Sequence, residues 1–277
     1  MQWRRHIIVR IALIVLATLT WGAPARADIE LSPLRHVITR DARSATFTVS
    51  NPSSRIVDAR ISWVDLSATA QGYEPAEPKA RAVLSAAPYL TVSPAHFRLE
   101  PGARTTVTVA LKKGTRIPRG ERRSHLLFET AAARTSIRKA SQNGMQIDIG
   151  VGVSAPVLLR NGARTSAEID DARLIRTDDG AIALVTSIRS KGAISPYGRL
   201  VAAYRTENKM DDAPAPWRIL GERANVAGYL DVRKREFEIP LGVSELSGGE
   251  LELRYEGAAE FSGRRFDARI FKIEPAQ

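Results

Sequence analysis

The sequence predicts an all-β chain built from two immunoglobulin-like β-sandwich domains, and three observations lead there. Short runs rich in Val, Ile, Thr, Phe and Tyr recur along most of the chain, punctuated by turn pairs such as Asn51-Pro52, Pro101-Gly102 and Gly248-Gly249. Few stretches show a helical period. There is no cysteine, so each sandwich must be held by its own apolar core.

In order, strands are expected at residues 29–31, 45–49, 57–64, 91–92, 97–99 and 105–111, with turns at Asn51-Pro52, Gln71-Gly72 and Pro101-Gly102. Thr105-Thr106-Val107-Thr108-Val109-Ala110-Leu111 alternates cleanly, so one of its faces should be buried. Residues 125–129, with Leu126, Leu127 and Phe128 in succession, suit a strand covered on both faces. An apolar run through residues 155–160 ends at the turn signal Asn161-Gly162, and the domain boundary is expected there. The second half should hold seven strands, at residues 181–188, 199–204, 217–220, 229–232, 235–239, 250–255 and 269–273. The expected organisation is therefore a leader over 1–27, a first domain over 28–162 and a second over 163–277. Domains of about 100 residues or more usually bury enough apolar surface to fold unaided.

The leader reads as a secretory signal peptide. Arg4, Arg5 and Arg10 precede an apolar run over residues 11–19, and Ala25-Arg26-Ala27 supplies a small-residue cleavage site before Asp28. The run is shorter than the roughly 20 apolar residues that span a bilayer, so export without membrane insertion is expected. Cleavage would remove four arginines and no acid, lowering the formal charge from +11 to +7. The remaining basic residues are scattered along the chain instead of clustered, which argues against nucleic acid as a partner.

One segment departs from ordinary sandwich patterning. From Met145 to Val153 the chain reads M-Q-I-D-I-G-V-G-V, so Met145, Ile147, Ile149, Val151 and Val153 share one face of an extended strand, roughly 30 Å long at about 3.3 Å per residue. The opposite face offers only Gln146, Asp148, Gly150 and Gly152. A basic stretch of small residues with Arg134, Arg138 and Lys139 leads into it. Two readings stand: the ridge lines its own domain's core, or it is an edge strand lent to a partner.

The inventory for catalysis is poor. There is no thiol, His36, His96 and His125 are widely separated and lack metal-ligand spacing, and no serine lies in G-x-S-x-G. Asp178-Asp179-Gly180 lacks the downstream glutamate of a calcium loop and suits a hairpin turn. Gly248-Gly249 has no following lysine to make a phosphate loop. The expectation is a non-enzyme with no cofactor and no metal.

Five segments together resemble the first domain of the periplasmic pilus-assembly chaperones of the chaperone/usher pathway: L-S-P-L-R-H-V from Leu31, T-F-T-V-S-N-P from Thr46, Y-L-T-V-S-P-A-H-F-R-L-E-P-G-A-R-T-T-V-T-V from Tyr89, I-P-R-G-E-R-R-S-H-L-L-F-E from Ile117, and the ridge running into V-S-A-P-V-L-L-R-N-G. The second half is similar mainly through S-P-Y-G-R-L from Ser195. The resemblance implies two immunoglobulin-like domains in a boomerang arrangement. It implies that the ridge, Met145, Ile147, Ile149, Val151 and Val153, completes the unfinished fold of a pilin-like subunit. It makes Arg35 an anchor for the subunit's terminal carboxylate and Arg160 an interdomain arginine. Two positions depart from the pattern: Pro156 stands where the family has a second anchoring cation, and Ser124 follows Arg123 where an acid is expected.

The function expected on this basis is a periplasmic chaperone that captures pilin-like subunits by donor-strand complementation and passes them to an outer-membrane usher. An exposed apolar edge also invites self-capping of two copies as a dimer. The alternative from another class is a structural or adhesive immunoglobulin-like protein of the cell envelope, in which the ridge is ordinary core.

Overall fold

The computed structural model describes residues 29–70, 72–130, 152–162, 164–206, 215–246 and 248–274. The leader, the four ridge residues Met145, Ile147, Ile149 and Val151, and the basic stretch before them lie outside the described residues.

Strands β1 (Glu30–Ser32), β2 (His36–Ile38), β3 (Ser44–Ser50), β4 (Val57–Val64), β5 (Leu66–Ala68), β6 (Tyr73–Pro75), β7 (Leu90–Ser93), β8 (His96–Leu99), β9 (Arg104–Leu111), β10 (Gly120–Thr130) and β11 (Gly152–Asn161) form the first half, with one short helix, α1 (Pro78–Leu84). One sheet has the order β1-β3-β9-β7, and the other β2-β11-β10-β4-β8. Alternation dictates what meets between them. Phe47, Val49, Val107 and Val109 from the first sheet pack against Ile38, Ile61, Leu126, Phe128, Ala155, Val157 and Leu159 from the second. The chain changes sheets between β1 and β2, and Arg35 sits in that crossing.

The second half contains β12 (Thr165–Arg176), β13 (Ile182–Gly192), β14 (Tyr197–Arg205), β15 (Arg218–Ala227), β16 (Lys234–Pro240), β17 (Gly249–Gly257) and β18 (Arg265–Ile273). They make sheets β12-β13-β16 and β15-β14-β17-β18 over a second core that includes Ile169, Leu184, Ile188, Leu200, Leu253 and Tyr255. The fold is all-β in two sandwiches, as the residue patterns predict. Asn51-Pro52 is a closed turn: the fully buried Asn51 amide donates to Arg55 O, Leu99 O and Glu100 O while its Oδ1 accepts from Ser53.

Several elements differ from the sequence expectation. Residues 229–232 form a turn, not a strand, because Tyr229 is buried against the other sandwich and its apolar spacing reports that contact. Strand β12 was not expected, since a register shift between Ile169 and Asp171 breaks its period at Asp170-Asp171. Helix α1 buries no residue, so it leaves no amphipathic stripe to read. The serine that replaces an acid at 124 has a local role: its buried hydroxyl accepts from Ala86 N and Ala87 N and donates to Asp65, pinning the segment after α1 onto β10.

Candidate functional site

Two features stand out: an open stretch of strand edge on β11, and a set of buried arginines where the two sandwiches meet. On one side β11 is antiparallel to β10 along its whole length, from Gly152 opposite Glu129 to Asn161 opposite Gly120. On the other side β2 runs parallel to it only at Val157, Leu158 and Leu159. Among the described residues, 152–156 have no backbone partner on that side.

Pro156 fits this arrangement, because a proline has no N–H for a ladder and is placed at an edge. It faces His125 on β10, so this pair falls on the non-hydrogen-bonded beat of the antiparallel ladder. By alternation the N–H and C=O of Ser154 then turn away from β10, towards the open side. The side chains alternate too: Ala155, Val157 and Leu159 enter the first core and Val153 packs partly against it, while Gly152 and Ser154 are exposed. Val153, the one ridge residue among those described, therefore touches its own domain.

Beyond residue 156 the outward face of β11 is used by the second sandwich. Leu158 joins Ala68 and Val37 of the first half with Ala227, Tyr229, Tyr197 and Val232 of the second in a separate apolar cluster. Ionic clasps flank it. On β10, Arg123 is 1% exposed and gives Nη1 and Nη2 to the two oxygens of Asp231 at 3.0 and 2.8 Å, with its guanidinium 4.0 Å from the Tyr229 ring centre. Asp231 also accepts from Ala68 N, and Glu236 N donates to Ala70 O, so the β5–β6 hairpin straps across to the turn at 229–233 and to the start of β16.

On the other flank, Arg160 is 4% exposed and has a carboxylate from each half. Its Nε donates to Glu121 at 2.6 Å, Nη1 to Glu260 and Nη2 to Ser195 O at 2.9 Å. Glu121 in turn accepts from Ser195 N and Oγ, fixing the Ser195-Pro196-Tyr197 segment against the first sandwich.

Arg35 completes the group. Its Nη1 and Nη2 donate to the two oxygens of Glu260 at 2.9 and 2.6 Å, its guanidinium lies 4.0 Å from the Tyr197 ring centre, and its buried Nε has no hydrogen-bond partner among the described residues. Partial burial works against ionisation of Glu260, but the hydrogen bonds and charge of Arg35 and the charge of Arg160 outweigh it and hold the carboxyl down at about 2. Glu260 rides on a tight connection between β17 and β18, next to Ala259, whose φ of 53° lies in the left-handed region. A Cβ on Gly257 would come within 2.2 Å of Phe261 O, so that connection tolerates only glycine there.

The structure thus gathers Arg35 and Arg160 around one carboxylate, and the strand bearing Arg160 ends upstream in the open edge. Glu121, Tyr197, Asp231 and Glu260 were not singled out from the sequence. Glu260 lies 225 positions from Arg35 in a loop of small residues, and no local period reports such a partner.

No family model matches the chain, and no curated protein matches it. Among solved structures, it is similar to a chain from a Salmonella enterica complex of the SafA pilin with the SafB chaperone, at 13% identity and a TM-score of 0.42 over 91% of this chain and 99% of that one. It is similar to a chain from the CsuC-CsuE chaperone–tip adhesion subunit complex of Acinetobacter baumannii, at 11% identity and a TM-score of 0.42 over 91% and 100%. A third is the Pseudomonas aeruginosa CupB2 chaperone, at 14% identity and a TM-score of 0.38 over 88% and 100%.

Proposed function

We propose that this chain is a divergent periplasmic pilus-assembly chaperone, non-catalytic and exported through its leader, that holds pilin-like subunits by strand addition and delivers them to an outer-membrane usher. The observation that supports it most is the open edge of β11 at residues 152–156, on the strand into which the ridge runs. Met145, Ile147, Ile149 and Val151 are in phase with Val153, Ala155 and Val157, so a continuous strand would carry apolar side chains and free backbone groups past the end of its own domain. A subunit lacking one strand needs both: main-chain bonds for affinity and apolar side chains for its groove. Each inserted side chain removes surface worth about 1.5 to 3 kcal/mol from water.

Arg35 is read as the anchor for a subunit's terminal carboxylate, and Arg160 as the interdomain arginine that keeps the cleft in shape. The units are read as 28–162 and 163–277. Among the described residues no helix is long and apolar enough to cross a membrane, and the periplasm is the compartment the leader and the fold suit.

The test is capture of subunits in a periplasmic extract by the tagged mature chain. Ile149→Asp combined with Val151→Asp is expected to abolish capture without unfolding the protein; undiminished capture would refute strand addition. Val153 touching its own core favours, at that position, the second reading of an envelope immunoglobulin-like protein. That reading expects no subunit to co-purify at all.

A further inference from the structure

The arginine read above as a subunit anchor already holds a carboxylate of the same chain. Both terminal nitrogens of Arg35 are spent on Glu260 in a two-point pair, the geometry in which guanidinium binds any carboxylate most strongly. Glu260 is also claimed by Arg160, and Arg160 has a further carboxylate in Glu121. The group therefore contains two guanidinium groups and two carboxylates, and it is balanced without a ligand.

Its members are not equally committed. Arg160 has Glu121, Glu260 and the Ser195 carbonyl, so Glu260 can release Arg35 and still hold a guanidinium of the same joint. Among the described residues the Arg35 side chain donates to Glu260 alone, and its buried Nε has no hydrogen-bond partner. Arg35 is the member with donor capacity to spare. Glu260 reaches it from a short connection beside a left-handed alanine, while its own side chain is 30% exposed and can turn towards water.

From this we infer that Glu260 is an internal competitor for Arg35: an incoming carboxylate, such as a chain terminus, binds the guanidinium only as Glu260 withdraws to Arg160, so Glu260 sets how selectively the cleft takes carboxylate ligands. This rests on the reading of Arg35 as an anchor.

The test uses acetate as the carboxylate probe and acetamide as its uncharged counterpart, followed through the Arg35 Nε–Hε signal in NMR spectra of the full mature chain. Glu260→Gln should make that signal respond saturably to acetate at a concentration about tenfold lower than in the wild type, and not respond to acetamide. Glu121→Gln loosens the same joint but leaves Arg35 paired, so it should behave as the wild type does. Glu260→Asp, one methylene short of Arg35 but still charged for Arg160, should repeat the glutamine result if that variant folds poorly. An acetate response equal in wild type and both Glu260 variants, or none in any of them, overturns the competitor role. Either result leaves strand addition standing, because capture through the ridge is measured separately; lost capture with a normal acetate response would overturn only the chaperone reading.

Discussion

Buried arginines set the terms at the residue scale. Arg123 and Arg160 are 1% and 4% exposed, and a guanidinium so enclosed is tolerated only with its charge opposed; the terminal nitrogens of Arg123 are all engaged, while its Nε has no hydrogen-bond partner among the described residues. Each meets an acid from the second sandwich. Removing one partner of such a pair leaves an uncompensated charge, so Asp231→Ala should cost about 3 to 5 kcal/mol in urea unfolding; a change near zero would mean that Arg123 is solvated by other means. Glu260 behaves as the depressed-carboxylate case. Its folded pKa of about 2 lies below the usual carboxylate value, so its contribution is complete at neutral pH and is lost as pH falls from about 4.5 through 2.

His125 acts in the opposite sense. Among the described residues neither buried ring nitrogen has a hydrogen-bond partner, and burial first, then the charge of Arg123, push its pKa down to about 4. Between that value and its unfolded pKa near 6.5 the unfolded chain binds more protons, so stability rises with pH across the window and falls on acidification. Wild type should lose about 3 kcal/mol from this residue between pH 7 and pH 4. In His125→Leu that part of the slope should disappear from urea titrations, and an unchanged slope would assign it elsewhere.

At the scale of elements, β11 combines three roles along ten residues: open edge at its start, core strand in its middle, interdomain surface at its end. The orientation argued from Pro156 has a direct consequence. Ser154→Pro removes an N–H that points away from β10, so the fold should change by less than about 1 kcal/mol while subunit capture weakens. If the variant fails to fold, the N–H of Ser154 belongs to the β10 ladder. The sequence announces this strand through the apolar run over residues 155–160, but its double burial at Leu158 and Arg160 by the second sandwich leaves no local signal. The strand β12 was not legible, since its bulge hides the period, and the turn at 229–232 was misread because Tyr229 and Val232 are apolar for the sake of a contact between sandwiches.

For the whole molecule, the joint is the part that sequence alone conceals. The two cores follow from local periodicity, but the pairs Arg123–Asp231 and Arg35–Glu260 span 108 and 225 positions and leave no local trace. With an apolar cluster between two ionic clasps and a hairpin strap, the sandwiches should unfold together. Calorimetry of the wild type is expected to give one transition, which Asp231→Ala splits into two; two transitions in the wild type would show that the clasps do not couple the sandwiches.

The central claim is that the edge at the start of β11 is kept for another chain's backbone. Hydrogen exchange at the amides of residues 145–151, Gly152 and Ser154, compared between the isolated protein and the complex it forms in the periplasm, measures this most directly. Slow exchange confined to the complex is the result expected of strand addition. Equal protection in the isolated chain would mean the edge is already filled from within, and the proposed mechanism would fail.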